Sequence, residues 1–546
     1  MRRFKFKSVV KLANMKLSVK SAAIVLASST LISALLGLFR DRLLNSYYLG
    51  TYPTGIDAYT AAFTIPDFMF FILTSGALSV SFIPVFNQRL AAGNKKSAWE
   101  LSSSLLNLLA LLTLVASILI MIFADPLIRY IVSPGLDESG MILAINMTRV
   151  IAINPFLFSI ATVLTSIQQA VGRFVFYAFA PAIYNVGIII GITCFTGGIN
   201  IFGVEIFGGG IMGVALGVIL GAILQLIVSL IGLFGLGMDY NFKINWKNQG
   251  FKAILRLLPA RSLDQGIDYV NGVVNTNLSS RMGAGAVRSF NQASALHQMP
   301  VNLIGVAIST AFFPKLTEEL GNGDKREFNE TFRQALRTII WISLPVAVIA
   351  FFGRGYVTSF ISNIGNNDSN GTIASILGTL CIAIFARSVF HIASRGFYAY
   401  QDTKTPFVVS IFAIGLTIAL SVWFYLIGWG VDGLGLAQSL GAIVEIVILM
   451  YILQRRSKNE LLNKAFWKAT IRMVIATVIT GCVAFSMTKF IPLMATDNSL
   501  VITIPKFLVI SGVSVIAFLI ASYFLDLKEA KPIFVRVKKI LFRNVK

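Results

Sequence analysis

The sequence predicts an all-α integral membrane protein of about 14 transmembrane helices, built as two parallel six-helix lobes followed by two C-terminal helices. Three observations predict it: the composition, a series of apolar runs and an internal repeat. Of 546 residues, 56% are hydrophobic and only 13% are charged, and the mean hydropathy is +0.78. A soluble domain carries about 25% charged residues.

The runs follow one another between short polar breaks. They cover 22–47, 56–86, 101–124, 141–169, 175–197, 208–238, 253–278, 285–314, 334–352, 372–399, 406–428, 433–454, 466–490 and 501–525. Most approach or exceed the roughly 20 residues that span a bilayer. The first follows a basic stretch but has no polar region after it, so it reads as a retained span and not as a cleaved signal.

Charge sets the orientation. On one side of the membrane fall Arg40, Arg42, Arg129, Arg149, Arg281, Arg288, Arg354, Lys489 and Lys506. Nearly all the remaining Lys and Arg, out of 46, fall on the side of both termini. Cytoplasmic loops carry such an excess, so both termini are expected inside. The formal charge of +22 is thereby a cytoplasmic fringe and not a nucleic-acid surface. The tail VRVKKILFRNVK is expected to lie on anionic headgroups. Cys194, Cys381 and Cys482 all fall in apolar spans and read as buried small hydrophobes. His297 and His391 lie far apart in sequence without ligand spacing, so no metal site is expected.

Positions 75–96 (SGALSVSFIPVFNQRLAAGNKK) and 305–326 (GVAISTAFFPKLTEELGNGDKR) align at a constant offset of 230. Ala77/Ala307, Phe82/Phe312, Pro84/Pro314, Leu90/Leu320, Gly93/Gly323 and Lys95/Lys325 are among the identities. A six-span repeat of preserved orientation follows. It gives a basic N-terminus (1–21), a first lobe (22–240), a second lobe (251–454), a terminal helix pair (466–525) and a basic tail (526–546). Paired lobes of this kind are expected to bind substrate between them and rock to alternate access.

TLISALLGLFRD (30–41), GIDAYTAAFTIPD (55–67), SGALSVSFIPVF (75–86) and GFYAYQDTKTP (396–406) resemble signature stretches of the lipid II flippase family (MurJ, or MviN). That family lies within the multidrug/oligosaccharidyl-lipid/polysaccharide exporter superfamily. The resemblance implies fourteen helices and no catalytic activity. It also implies export of an undecaprenyl-pyrophosphate-linked saccharide, the peptidoglycan precursor lipid II, across the bacterial inner membrane beside the cell-wall synthesis machinery. The chain departs from the family pattern at several cations. Ala34 replaces an arginine of the first span, Phe70 and Phe71 replace a basic pair, and Ser294 and Ala295 replace an Asp-Arg pair.

Several charged residues lie within spans, where each costs several kcal/mol unless it faces protein or water. No charge occurs from Ala22 to Phe39, so Arg40 stands about 27 Å along the first helix. Ser33, Gly37, Arg40 and Leu44 share one helical stripe. The cluster is either a snorkelling interfacial group or a cavity arginine for diphosphate braced by Asp41. The resemblance favours the second and adds Ser33 and, as a gate, Asp57. In the seventh span, Arg261 is a candidate stand-in for the missing cations. Asp264 and Asp268, neighbours at i, i+4, are candidates for Na⁺ or H⁺ coupling; an internally paired Arg261–Asp264 cluster is the alternative. Glu445, near mid-membrane, is either a third coupling acid or a structural glutamate. Beyond that ion no cofactor is expected. Alternative functions are export of another polyprenyl-pyrophosphate saccharide, drug or cation antiport within the superfamily, and a non-transporting scaffold.

Overall fold

The computed structural model describes residues 19–75, 82–201, 204–207, 209–362, 367–458, 460–494, 496–497, 499–532 and 534–535. Excepted are the side chains of 19, 20, 22, 23, 27, 199–201, 204–207, 256–265, 267, 268 and 367–370. The basic N-terminus, most of the basic tail and the core of the repeat's first copy lie outside the described residues. Contacts divide the chain into two compact units, Met1–Val287 and Arg288–Lys546.

The first unit opens with α1 (Val19–Tyr48), then α2 (Pro53–Ala62), α3 (Thr64–Phe70) and a π-helical turn, Phe71–Ser75. It continues with α4 (Ile83–Ala91), α5 (Lys95–Ile122), α6 (Glu138–Ile151), α7 (Asn154–Ala170) and α8 (Val175–Ile190). A small antiparallel hairpin, β1 (Ile199–Ile201) and β2 (Val204–Phe207), leads to α9 (Met212–Ile231) and α10 (Gln249–Ser280). The second unit holds α11 (Ala286–Val301, its first two residues in the first unit), a π-helical turn (Asn302–Val306) and α12 (Ala307–Gly321). After these come α13 (Lys325–Phe352), α14 (Arg354–Ser359), α15 (Asn367–Ala399), α16 (Lys404–Leu426), α17 (Gly430–Arg456), α18 (Lys464–Phe490) and α19 (Leu500–Phe524).

Among the described residues, thirteen helical segments are long and apolar enough to cross a membrane. The fourteenth expected span is α10, which is continuous over 32 residues, about 48 Å. Its length suffices, but Asn, Gln, Asp and Arg recur along it. It packs within the first unit, where Tyr269 stacks on Phe71 at 4.5 Å.

The repeat has a structural cause. α5 and α13 each have 28 residues, and both their ends stand 230 positions apart. Each is preceded by a glycine in the left-handed region, Gly93 (φ 75°) and Gly323 (φ 80°), which a side chain would strain. Each then starts on an Asx cap: Asn94 Oδ1 accepts from Ser97 N and Asp324 Oδ1 from Glu327 N, both at 3.0 Å. A cap satisfies one of the orphan N–H groups at a helix start. The π-helical turns before α4 and α12 repeat as well.

Lipid tails are as apolar as leucine, so membrane helices associate by close packing more than by water exclusion. Accordingly α8 meets α9 through Gly187, Gly191, Gly217 and Gly221, each facing opposing backbone where a Cβ would collide. Larger side chains fill the rest. Phe82, Phe86, Leu101, Leu105 and Phe251 are fully buried in the first unit; Phe328, Phe332, Phe397 and Leu449 are fully buried in the second. Cys381 is buried as expected. Cys194 and Cys482, by contrast, are exposed on outward faces of their spans, where lipid replaces protein as apolar neighbour.

The GFYAYQDTKTP stretch forms a clasp at the end of α15. Gln401 adopts φ 58°, turning the chain so that Asp402 caps α16. Thr405 N donates to Asp402 Oδ1 at 3.0 Å, and the Thr405 hydroxyl donates to Oδ2 at 2.7 Å. Arg456, at the end of α17, donates to the same carboxylate at 2.6 Å and lies over Phe397 and Tyr400. Burial acts to raise the Asp402 pKa, but these hydrogen bonds outweigh it and hold the carboxyl at about 2. The last two helices join the second unit. Trp341 Nε1 donates to Ser522 Oγ at 3.2 Å, and Arg337 pairs with Glu529 at 2.6 Å.

Candidate functional site

The first unit carries the polar cluster that the stripe on α1 anticipates. Arg40 Nε and Nη2 donate to Asp41 Oδ1 at 3.2 and 3.0 Å, and Nη1 donates to Asn185 Oδ1 at 2.9 Å. Asn185 Nδ2 in turn donates to the Ser33 carbonyl at 3.2 Å and to Ser33 Oγ at 3.5 Å. Gly37, one turn before Arg40, faces this amide; a Cβ there would sit in ordinary contact with it, 3.9 Å from Nδ2. Three of the five guanidinium N–H donors are thus engaged among the described residues. Two remain in a plane whose orientation Asp41 and Asn185 fix. A guanidinium held in this way suits a phosphate oxygen geometrically as well as electrostatically.

Aromatic rings bound the cluster. Tyr59 and Tyr184 are electrostatic neighbours of Arg40, and Asp67 is a neighbour of Tyr184. Phe158 meets Tyr184 edge-on at 5.1 Å and Phe70 at 5.7 Å. Asn185, Tyr184 and Asp67 are not among the residues that the sequence marks as site candidates, although Asp67 closes one of the family motifs. Asp67 could have been found, because an acid some fourteen residues into a span is a functional hypothesis by default. Asn185 offers only a weak signal, one amide within the apolar run of α8.

The other candidates are placed differently. Asp57 is fully buried, and its Oδ2 accepts the Gly285 N–H at 2.7 Å. It anchors the turn after α10 and is closed to solvent. Arg261, Asp264 and Asp268 lie on α10, but their side chains are outside the described residues.

Glu445 belongs to the second unit, where it is 2% exposed. Arg387 Nη1, from α15, donates to its Oε2 at 3.1 Å, and Ser410 Oγ, from α16, donates to its Oε1 at 2.7 Å. One carboxylate thus ties three helices together. His297 and His391, distant in sequence, both neighbour Arg387. An intramembrane acid paired in this way is a stable arrangement, and an ion would have to displace Arg387 to reach it.

A family model described as lipid II flippase MurJ matches residues 45–504. A "Lipid II flippase MurJ" of Burkholderia cenocepacia is 28% identical over 80% of this chain and 84% of its own length. A "Probable lipid II flippase MurJ" of Buchnera aphidicola is 25% identical over 94% of this chain and 98% of its own. Among solved structures, a lipid II flippase MurJ in an inward closed conformation superposes with a TM-score of 0.71, at 22% identity, over 96% of this chain and 99% of that one. An inward-facing multidrug resistance MATE transporter of the MOP superfamily superposes with a TM-score of 0.65, at 19% identity, over 80% and 98%. These last two likenesses concern the fold.

Proposed function

The chain belongs to the lipid II flippase MurJ family, and from that membership we infer that it carries a polyprenyl-pyrophosphate-linked saccharide, lipid II, between leaflets. It is a multi-pass membrane flippase that works by alternating access and makes or breaks no covalent bond. The observation that carries the substrate reading is the Arg40 cluster. It is a cation on a transmembrane helix, oriented by Asp41 and Asn185, with N–H donors to spare. A pyrophosphate needs such a group, whereas an organic cation needs acids and aromatic faces.

Arg40 takes the diphosphate and Ser33 holds its orienting amide in register. One cation does not neutralise two or more negative charges in a low-dielectric site. Arg261 on α10 supplies the second, in place of the arginines that Ala34, Phe70 and Ala295 replace. Ion coupling, by Na⁺ or H⁺, falls to Asp264 and Asp268. Direct binding by the purified chain tests the class: the pyrophosphate-linked saccharide should compete out a labelled analogue. Competition by organic cations alone would overturn the reading in favour of an antiporter.

We place the chain in the bacterial inner membrane with both termini in the cytoplasm, an orientation that the charge bias supports. In a cysteine-free background, Ser139→Cys should react with a membrane-impermeant thiol reagent in intact cells and Asn322→Cys should not. Both positions are exposed. The reverse pattern would invert the assignment.

A further inference from the structure

We propose that the groove between α13 and α18 seats an anionic phospholipid, its phosphate on Arg354 and Lys489 and one acyl chain along the two helices. The groove is about 490 Å³ and is walled by Leu344, Val348 and Phe352 on one side and Val474, Val478 and Phe485 on the other. Val478 is 60% exposed and Phe485 50%, so the walls are open and apolar. Gly481 forms part of the floor; a Cβ there would meet Val348 at 3.1 Å. From Val474 to Phe485 the wall runs about 17 Å along the helix, close to half of the roughly 30 Å hydrocarbon core. That is the depth of one leaflet.

At its end the groove runs into a second pocket of about 660 Å³, which shares Phe352 and Phe485 and adds Arg354, Tyr356, Thr488 and Lys489. Arg354 lies 4.8 Å over the Phe351 ring and donates to the Phe351 carbonyl at 2.7 Å. Lys489 Nζ lies 5.8 Å from the Phe485 ring. Neither cation pairs with a carboxylate among the described residues. The neighbouring acids are engaged: Asp497 holds Lys506 at 2.6 Å, and Asp432 accepts from Ser375 at 2.7 Å.

Each half of the site excludes a different occupant. Water gains no hydrogen bonds in the apolar half, and a free phosphate would leave that half empty. A neutral amphiphile would leave two cations unused. An anionic head joined to an aliphatic chain fits both, and basic residues at a membrane surface are attracted to such lipids. Binding does not depend on the flippase reading; only the leaflet does, because the orientation proposed above puts the headgroup pocket on the outer face.

The test is thermal unfolding of the full chain in detergent, titrated with phosphatidylglycerol, phosphatidylcholine or inorganic phosphate. Phosphatidylglycerol should stabilise the protein at a concentration about tenfold or more below that needed for phosphatidylcholine, and inorganic phosphate should do nothing. Arg354→Ala with Lys489→Ala should abolish the preference without moving the midpoint in phosphatidylcholine; Arg354→Gln with Lys489→Gln repeats this with the stems retained. Val478→Trp should weaken phosphatidylglycerol about tenfold while keeping both cations. A preference that survives the charge removal, or an affinity for phosphatidylglycerol that survives the filled groove, overturns the proposal, as does equal stabilisation by inorganic phosphate. Stabilisation by an undecaprenyl-pyrophosphate saccharide that phosphatidylglycerol does not compete out would make the substrate the occupant and overturn it too. Flipping measured on the same samples reports separately on the transport reading.

Discussion

Arg40→Ala is expected to lower flipping about 100-fold or more at unchanged protein level in the membrane. Hydrogen bonds to charged groups contribute roughly 1.5–3 kcal/mol each, and Arg40 has two N–H donors beyond those given to Asp41 and Asn185. Losing both contacts to a diphosphate accounts for the size of the effect. Arg40→Lys separates charge from geometry. The ammonium can still pair with Asp41 but cannot also reach Asn185 with a planar fork, so little activity should return. Arg261→Ala should behave as Arg40→Ala does if the two cations share the diphosphate. The measurement is flipping per folded molecule, with thermal unfolding of each variant alongside. Loss of flipping that merely follows loss of folded protein would make Arg40 structural.

Arg387→Ala and Glu445→Ala are each expected to destabilise the second unit by about 3 kcal/mol or more, since removing one partner of a buried ion pair strands the other. Glu445, at 2% exposure, is the costlier group to leave alone; Arg387, at 26%, can recruit water. The double variant Arg387→Met with Glu445→Leu should recover most of the loss, because apolar residues of similar volume commonly replace such a pair without penalty. Unfolding midpoints of the two singles and the double give the coupling directly. If Glu445→Ala leaves stability unchanged but abolishes transport, Glu445 is a coupling acid and the three-helix tie with Ser410 is incidental.

The spans were readable because a bilayer imposes one length on every helix that crosses it. The repeat was readable because the turn between α4 and α5 needs a left-handed glycine and an Asx cap, and the same turn recurs before α13. The site was readable only in part. Arg40, Asp41 and Ser33 share one helix, so helical geometry alone brings them near. Asn185, which orients Arg40, comes from 145 positions away, and no local pattern announces it. Glu445 stood out as an acid at mid-membrane, yet its partner on α15 and its hydroxyl donor on α16 come from the packing of three helices. Asp57 stands out by its family position, and the fold adds the Gly285 N–H that it holds, 228 positions away. The polar character of α10 was visible throughout.

The most direct measurement is leaflet exchange by the purified chain in proteoliposomes. A labelled undecaprenyl-pyrophosphate saccharide is placed in one leaflet, and its headgroup is followed by a probe that cannot cross the bilayer. Transfer should depend on the protein, be competed by unlabelled lipid-linked saccharide and fall about 100-fold or more in Arg40→Ala. Transfer no faster than in protein-free vesicles would rule out flipping by this chain, and equal transfer by Arg40→Ala would rule out Arg40 as the diphosphate ligand.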